Sequence, residues 1–155
     1  MSKLDPKPES DVALKTQSSV LLYHNAPTGL KTSQTAECCA FIRDKCLPAV
    51  IPQPNSGQLF IKYATKNTNT EEYVTEMVQQ LLLNNTVVVY AYGPHIQRAI
   101  TILELVKARA EIKKAHQTNS LDRFVNVVPG RNELLDRKIN VPILIAVLGQ
   151  EQSSP

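Results

Sequence analysis

Seven consecutive residues, Thr86-Val87-Val88-Val89-Tyr90-Ala91-Tyr92, are β-branched, aromatic or small, and none is charged. A strand with one face in water alternates apolar and polar side chains; this one does not alternate. It reads as a central strand buried on both faces. Gly93-Pro94 follows at once. Proline suits the first position of a helix, because the N–H it lacks would be unbonded there. Ile96, Ala99, Ile100, Leu103, Val106 and Ala110 then recur at helical spacing to about Lys114. Arg109, Lys113 and Lys114 suit the negative end of that helix.

The flanks complete an alternating pattern. Gln58 to Ala64 sets Leu59, Ile61 and Tyr63 against Gln58, Phe60 and Lys62, which predicts a strand. Thr65 to Thr70 is a polar loop carrying Lys66. Thr70 is the expected N-cap of a helix, with Glu71 and Glu72 in its positive first turn. Tyr73, Met77, Leu81 and Val74, Val78, Leu82 form that helix's apolar face. Asn84 and Asn85 end it.

After the long helix, His116 to Ser120 reads as a polar loop and Arg123 to Val128 as a strand. Pro129 to Asn140 reads as a charged connection. Val141 to Leu148 reads as a strand with Pro142 at its start.

Ahead of these elements, Thr35 to Leu47 reads as a helix that Pro48 stops. Val20 to Tyr23 is too short to assign, and residues 24–34 read as a loop. The expected organisation has four parts. Residues 1–31 are a disordered or extended segment, and 32–54 hold a helix and a proline-rich linker. Residues 57–149 form a compact two-layer α/β domain of order β-α-β-α-β-β, and 150–155 are a tail.

Composition removes several function classes. No apolar run reaches about 18 residues, so no membrane helix is expected. Five glycines are too dispersed for phosphate-cradling motifs such as G-x-G-x-x-G. Three cysteines without a C-x-x-C read as reduced thiols of an intracellular protein, with Cys39 and Cys46 as packing residues. The histidines, His24, His95 and His116, share no metal-ligand spacing. No cofactor and no independent catalytic centre are expected.

The net charge of +3 is uneven. Residues 1–85 balance eight basic against eight acidic residues, and 86–155 hold nine against six. Several of those cations stand at turns, which suits phosphate contact as well as plain solvation. His95 and Arg98 fall at the start of the helix after Gly93, where free N–H groups also attract phosphate.

The segment AYGPHIQRAITILELVK (Ala91 to Lys107) resembles the Alba superfamily of nucleic-acid-binding proteins, in Gly93, Ile96, Arg98, Glu104 and Val106. Pro94 stands where archaeal members commonly have arginine, and Lys66 stands alone where they usually have Gly-Lys-Lys. YGPHIQ, GRNELLDRKINVPILIAVL (Gly130 to Leu148) and the helix AECCAFIRDKCLPAVI resemble more narrowly the larger Alba-type subunits of fungal ribonuclease P and ribonuclease MRP.

The resemblance implies an Alba-like fold and a noncatalytic, RNA-binding role in a nuclear and nucleolar ribonucleoprotein that processes precursor tRNA and rRNA. It implies as partners RNase P RNA, RNase MRP RNA, the other proteins of those particles and a second Alba-type subunit. The resulting heterodimer would hold a stem with an internal loop, and telomerase RNA is a further implied partner.

With no tryptophan and no RRM-like aromatic motif, recognition is expected to rest on backbone and shape. The expected RNA-binding residues are Lys62, Lys66, His95, Gln97, Arg98, Arg131, Asn132, Arg137 and Lys138. Arg131 could instead brace Glu133 or Asp136, and Lys62 could be a plain solvent-facing strand residue. Phe60, Val88 and the helix 96–112 offer apolar surface for a protein partner. Two alternatives stay open: a general Alba-type DNA/RNA chaperone acting as a homodimer, and a protein adaptor using helix 96–112.

Overall fold

The computed structural model describes residues 19–51, 58–109 and 115–150. Outside them lie most of the segment expected to be disordered (1–18), part of the linker (52–57), the expected end of the long helix (110–114) and most of the tail (151–155). The elements are β1 (Val20–Tyr23), β2 (Ala26–Pro27), α1 (Thr35–Lys45), α2 (Leu47–Val50), β3 (Leu59–Tyr63) and α3 (Thr70–Leu82). There follow β4 (Thr86–Tyr92), a 3-10 turn (Gly93–His95), α4 (Ile96–Arg109), β5 (Ala115–Val128), a second 3-10 turn (Glu133–Leu135) and β6 (Arg137–Gln150). From β3 onward this is the mixed α/β order that the sequence pattern predicts. The described residues form two compact units, those within Met1–Cys38 and Arg123–Val141 and those within Cys39–Asp122 and Pro142–Pro155, so β5 and β6 contribute residues to both.

In the second unit the strand order is β5-β6-β4-β3. β3 and β4 run parallel, from Leu59 opposite Thr86 to Tyr63 opposite Tyr90. β4 pairs antiparallel with β6, from Val87 opposite Leu148 to Tyr92 opposite Ile143. Val87, Val89 and Ala91 pack with Val74, Met77 and Leu81 of α3 and with Ala99, Ile102, Leu103 and Val106 of α4.

Val88, Tyr90 and Tyr92 point to the opposite face by strand alternation, and they too are buried. Burial pushes the Tyr90 phenol up to about 12, and Cys39, Arg43 and Asp44 of α1 lie close enough to act on it. Helix α1 therefore adds cover on the face that α3 and α4 leave open. Cys39, Ile42, Cys46 and Leu47 are all buried, in keeping with a packing role for these cysteines. Val88 is fully buried and so drops out of the apolar surface expected to meet a partner.

The helix boundaries differ in instructive ways. Pro48 does not stop a helix. The chain breaks at Cys46, and Pro48 sits in the first turn of α2, where its missing N–H costs nothing. The N-cap of α3 is Asn69 rather than Thr70; its Oδ1 accepts the Glu72 N–H at 3.1 Å. The expected charges, Glu71 and Glu72, do occupy the first turn. At the other end Asn84 is left-handed (φ 65°). The Asn85 N–H donates to Gln80 O and the Asn84 N–H to Leu81 O, both at 2.9 Å, which closes a Schellman motif.

β5 is the largest departure. His116 to Ser120, expected as a loop, are strand. Exposure mostly alternates along this stretch, and β6 supplies the hydrogen-bonding neighbour that a polar segment does not advertise. Likewise Arg137, Lys138, Ile139 and Asn140 belong to β6 rather than to a connection. Pro142 is then inside a strand, one residue beyond the last pair with β4.

In the first unit the strand order is β2-β1-β5-β6. β1 and β2 form a hairpin through His24 (φ 50°) and Asn25 (φ 69°), the backbone of a tight primed turn. β1 pairs antiparallel with β5, Val20 opposite Val127 and Leu22 opposite Val125. Leu21, Cys38 and Phe124 are buried. The run Val20–Tyr23 is thus a strand because a distant segment pairs with it.

Two stability measurements follow. In urea denaturation, Asn84→Val is expected to cost about 1–2 kcal/mol, the strain of a β-branched residue in the left-handed region, while Asn84→Gly is neutral or stabilising. Leu103→Ala is expected to cost about 2–5 kcal/mol, because this α4 residue is buried in the core that α4 shares with α3 and β4.

Candidate nucleic-acid interface

Because β3 and β4 are parallel, their following loops leave the sheet at the same end. The loop from Ala64 to Asn69 leads into α3, and the turn Gly93–His95 leads into α4. Gly93 has φ 53°, a conformation other residues adopt only with strain. That turn swings His95 back toward the first loop. The His95 Nδ1 accepts the Lys66 backbone N–H at 3.0 Å. This bond requires the proton on Nε2. His95 is only 5% exposed, and its ring stands edge-on to Tyr92 at 5.0 Å. Burial holds the imidazole pKa below its ordinary value, and the Lys66 charge acts in the same direction.

One helical turn on, the Arg98 guanidinium donates to the Thr68 carbonyl. The loop is also braced from within. The Thr65 N–H donates to Thr68 Oγ1 at 2.9 Å, and the Thr68 N–H donates to Thr65 O at 3.0 Å. The structure thus brings together Lys66, His95 and Arg98, but in different capacities. His95 and Arg98 hold the loop, and Lys66 and Asn67 are exposed at its tip. The Thr65 and Thr68 contribution was not read from the sequence; a T-x-x-T spacing beside an Asn N-cap is the signal that could have shown it.

Gln97 is exposed in the first turn of α4, and its carbonyl accepts the Thr101 hydroxyl. Lys62 lies elsewhere on β3. Its Nζ is 3.7 Å from Glu76 Oε1 and stands 5.2 Å from the Tyr73 ring centroid. That charge is locally compensated.

The remaining expected residues lie in the other unit, on the β5–β6 hairpin. Arg131, Asn132, Arg137 and Lys138 are all exposed. Asn132 builds the turn: its Oδ1 accepts the Leu134 N–H and its carbonyl accepts the Leu135 N–H, both at 2.9 Å. Asp136 Oδ1 accepts the Gly130 N–H at 2.9 Å. Gly130 is required here, because a Cβ on it would lie 2.4 Å from Leu135 O. The sequence offered Asp136 only as a possible brace for Arg131, and Gly130 only as the start of the segment Gly130 to Leu148; their part in the turn was not read from it.

Among the described residues no group of three or more His, Cys, Asp or Glu could hold a metal ion, and no helix is long and apolar enough to cross a membrane.

The family model for Alba matches residues 63–125, which span β4, the Gly93 turn and α4. The chain is also 30% identical over 141 residues to a Saccharomyces cerevisiae (strain ATCC 204508 / S288c) protein, a match covering 84% of this chain and 89% of that one. It belongs to the Alba family. The yeast relative is the Ribonucleases P/MRP protein subunit POP6. Among solved structures, Alba from Thermoplasma volcanium aligns with 59% of this chain and 99% of its own, with a TM-score of 0.41 and 21% identity.

The His95 clasp has a pH signature. A ring whose folded pKa is depressed favours the folded state fully above its unfolded value, near 6.5, and loses that contribution as pH falls through the lowered folded value. Protonated Nδ1 would also face the Lys66 N–H as a second donor. The urea midpoint of the wild type is therefore expected to fall between pH 7.5 and 5.5. In His95→Asn, which cannot titrate, that fall should be smaller; an equal fall in both proteins would remove His95 as its source.

Proposed function

We propose that this chain is a noncatalytic protein subunit of ribonuclease P and ribonuclease MRP. In this reading it binds a structured stem with an internal loop in the RNA of those particles, as a heterodimer with a second Alba-type subunit. The carrying observation is the 30% identity to the RNase P/MRP subunit POP6 across 89% of that protein. Catalysis then belongs to the RNA, and the setting is nuclear and nucleolar.

The geometry supports such a role in two ways. Lys66 is presented on a loop braced by His95 and Arg98, and Arg131, Arg137 and Lys138 are presented on a braced hairpin. Fixed cations of this kind contact phosphates with little loss of freedom on binding. The chain's net charge is only +3, which fits a subunit that shares RNA binding with a partner better than a lone high-affinity binder. Apolar side chains remain for that partner: Leu82, Leu83 and Ile100 are 62%, 68% and 43% exposed.

The test is the solution mass, by light scattering, of this chain alone and with a second Alba-type subunit, with and without an internal-loop RNA stem. A one-to-one heterodimer that shifts onto the stem is expected. A homodimer that binds any duplex unaided would overturn the reading in favour of a general chaperone. Telomerase RNA is the natural further ligand to include. In the same assay, Arg131, Arg137 and Lys138 are replaced together by Ala. The slope of log affinity against log salt is expected to become shallower by about 0.7–0.9 for each phosphate no longer neutralised, while the heterodimer stays intact.

A further inference from the structure

Leu134 is 93% exposed and Leu135 53% exposed, at the tip of the β5–β6 hairpin. Folding gives no reason for this placement, since a leucine in water forgoes the gain that burial brings. Nor is the tip a slack loop. Asn132 bonds the N–H groups of both Leu134 and Leu135, Asp136 bonds the Gly130 N–H, and Gly130 lies so close to Leu135 that a Cβ would not fit. A rigid turn is therefore built around Gly130 to Asp136 and presents an apolar side chain outward.

Its surroundings identify the occupant. Arg131 on one side and Arg137 and Lys138 on the other are exposed. Of the two acids in the turn, Asp136 has an oxygen committed to the Gly130 N–H. From Arg123 to Val141 the sequence holds four basic residues, Arg123, Arg131, Arg137 and Lys138, against two acidic ones, Glu133 and Asp136. An apolar tip between cations matches a polyanion that offers an apolar cleft between its charges. In nucleic acid such a cleft is an unstacked base step. By contrast, exposed Leu82 and Leu83 are followed by Asn84 and Asn85, not by cations.

We infer that Leu134 is a wedge that inserts at an interrupted base step of a structured RNA, while Arg131, Arg137 and Lys138 hold the flanking phosphates. Apolar side chains placed between bases unstack them, and RNA offers such steps where a helix is interrupted by a loop or bulge. The inference rests on the RNA-binding role proposed above and adds what the hairpin reads: a gap in stacking rather than a sequence.

The test uses the full-length chain and two RNA stems of equal length, one continuous and one with an internal loop carrying 2-aminopurine. Wild type is expected to bind the interrupted stem more tightly and to raise its fluorescence as the base unstacks. Leu134→Ala should lose about tenfold in affinity for the interrupted stem, the low end of what burying a leucine contributes, and should abolish the fluorescence rise. Its affinity for the continuous stem and its salt slope should not change, because no charge is removed. Leu134→Met should retain the wild-type pattern.

If Leu134→Ala binds both stems as wild type does, or weakens both equally, the wedge is overturned while RNA binding stands. If that variant binds RNA normally but loses its Alba-type partner, Leu134 is a protein contact and the wedge is again overturned. If wild type binds neither stem, alone or with that partner, the RNA-binding role itself fails and takes the wedge with it.

Discussion

The burial of β4 on both faces is the constraint from which the second unit follows. Val87, Val89 and Ala91 need cover on one face, and α3 with α4 supply it. Val88, Tyr90 and Tyr92 need it on the other, where α1 approaches Tyr90. The same strand also decides where chemistry can gather. Since β3 runs parallel to it, both crossover loops open at one end. A parallel pair joined through a helix makes this unavoidable, because each strand must hand over to a helix at its C-terminal end. The Gly93 turn then carries His95 and Arg98 onto the loop that presents Lys66.

Electrostatics in this protein are better judged residue by residue than from the net charge. Several cations are spent within the fold. Lys62 sits by Glu76, Lys107 is 2.6 Å from Glu104, and Arg109 at the end of α4 grips Glu71 at the start of α3 through both terminal guanidinium nitrogens. Hydrogen bonding to Arg109 holds the Glu71 carboxyl below its usual value. Lys66, Arg131, Arg137 and Lys138 form no ion pair among the described residues. A modest total thus includes a small set of exposed cations on two braced loops that form no ion pair with the described side chains. In the proposed RNA-binding role, phosphate contact would fall to that subset, since a paired cation must first lose its partner.

Much of the fold was legible because it is written in local pattern. The unbroken apolar run of β4, the i, i+4 faces of α3 and α4, and the acidic first turn of α3 each report a local environment directly. What was not legible depends on a distant partner. Val20–Tyr23 has no strand signature until β5 pairs with it. His116–Ser120 is as polar as a loop, and only the neighbouring β6 makes it a strand. Pro48 is read as a stop locally, yet the chain breaks two residues earlier at Cys46 and uses the proline to start α2.

The candidate interface divides the same way. Residue identity marked Lys66, His95, Arg98 and the hairpin cations, because glycine turns, helix starts and basic clusters are local features. Their roles were set by bonds that span 29 and 30 residues: a histidine at a helix start became an acceptor for a backbone N–H, and an arginine became a loop brace. The sequence by itself determined which segments are strand and helix in the βα-βα succession. Only the tertiary structure decided that α1 covers Tyr90, that a polar segment extends β5, and that Leu134 is held in water. A side chain's local preference states what surroundings it favours; which surroundings it receives depends on segments that meet only when the chain is folded.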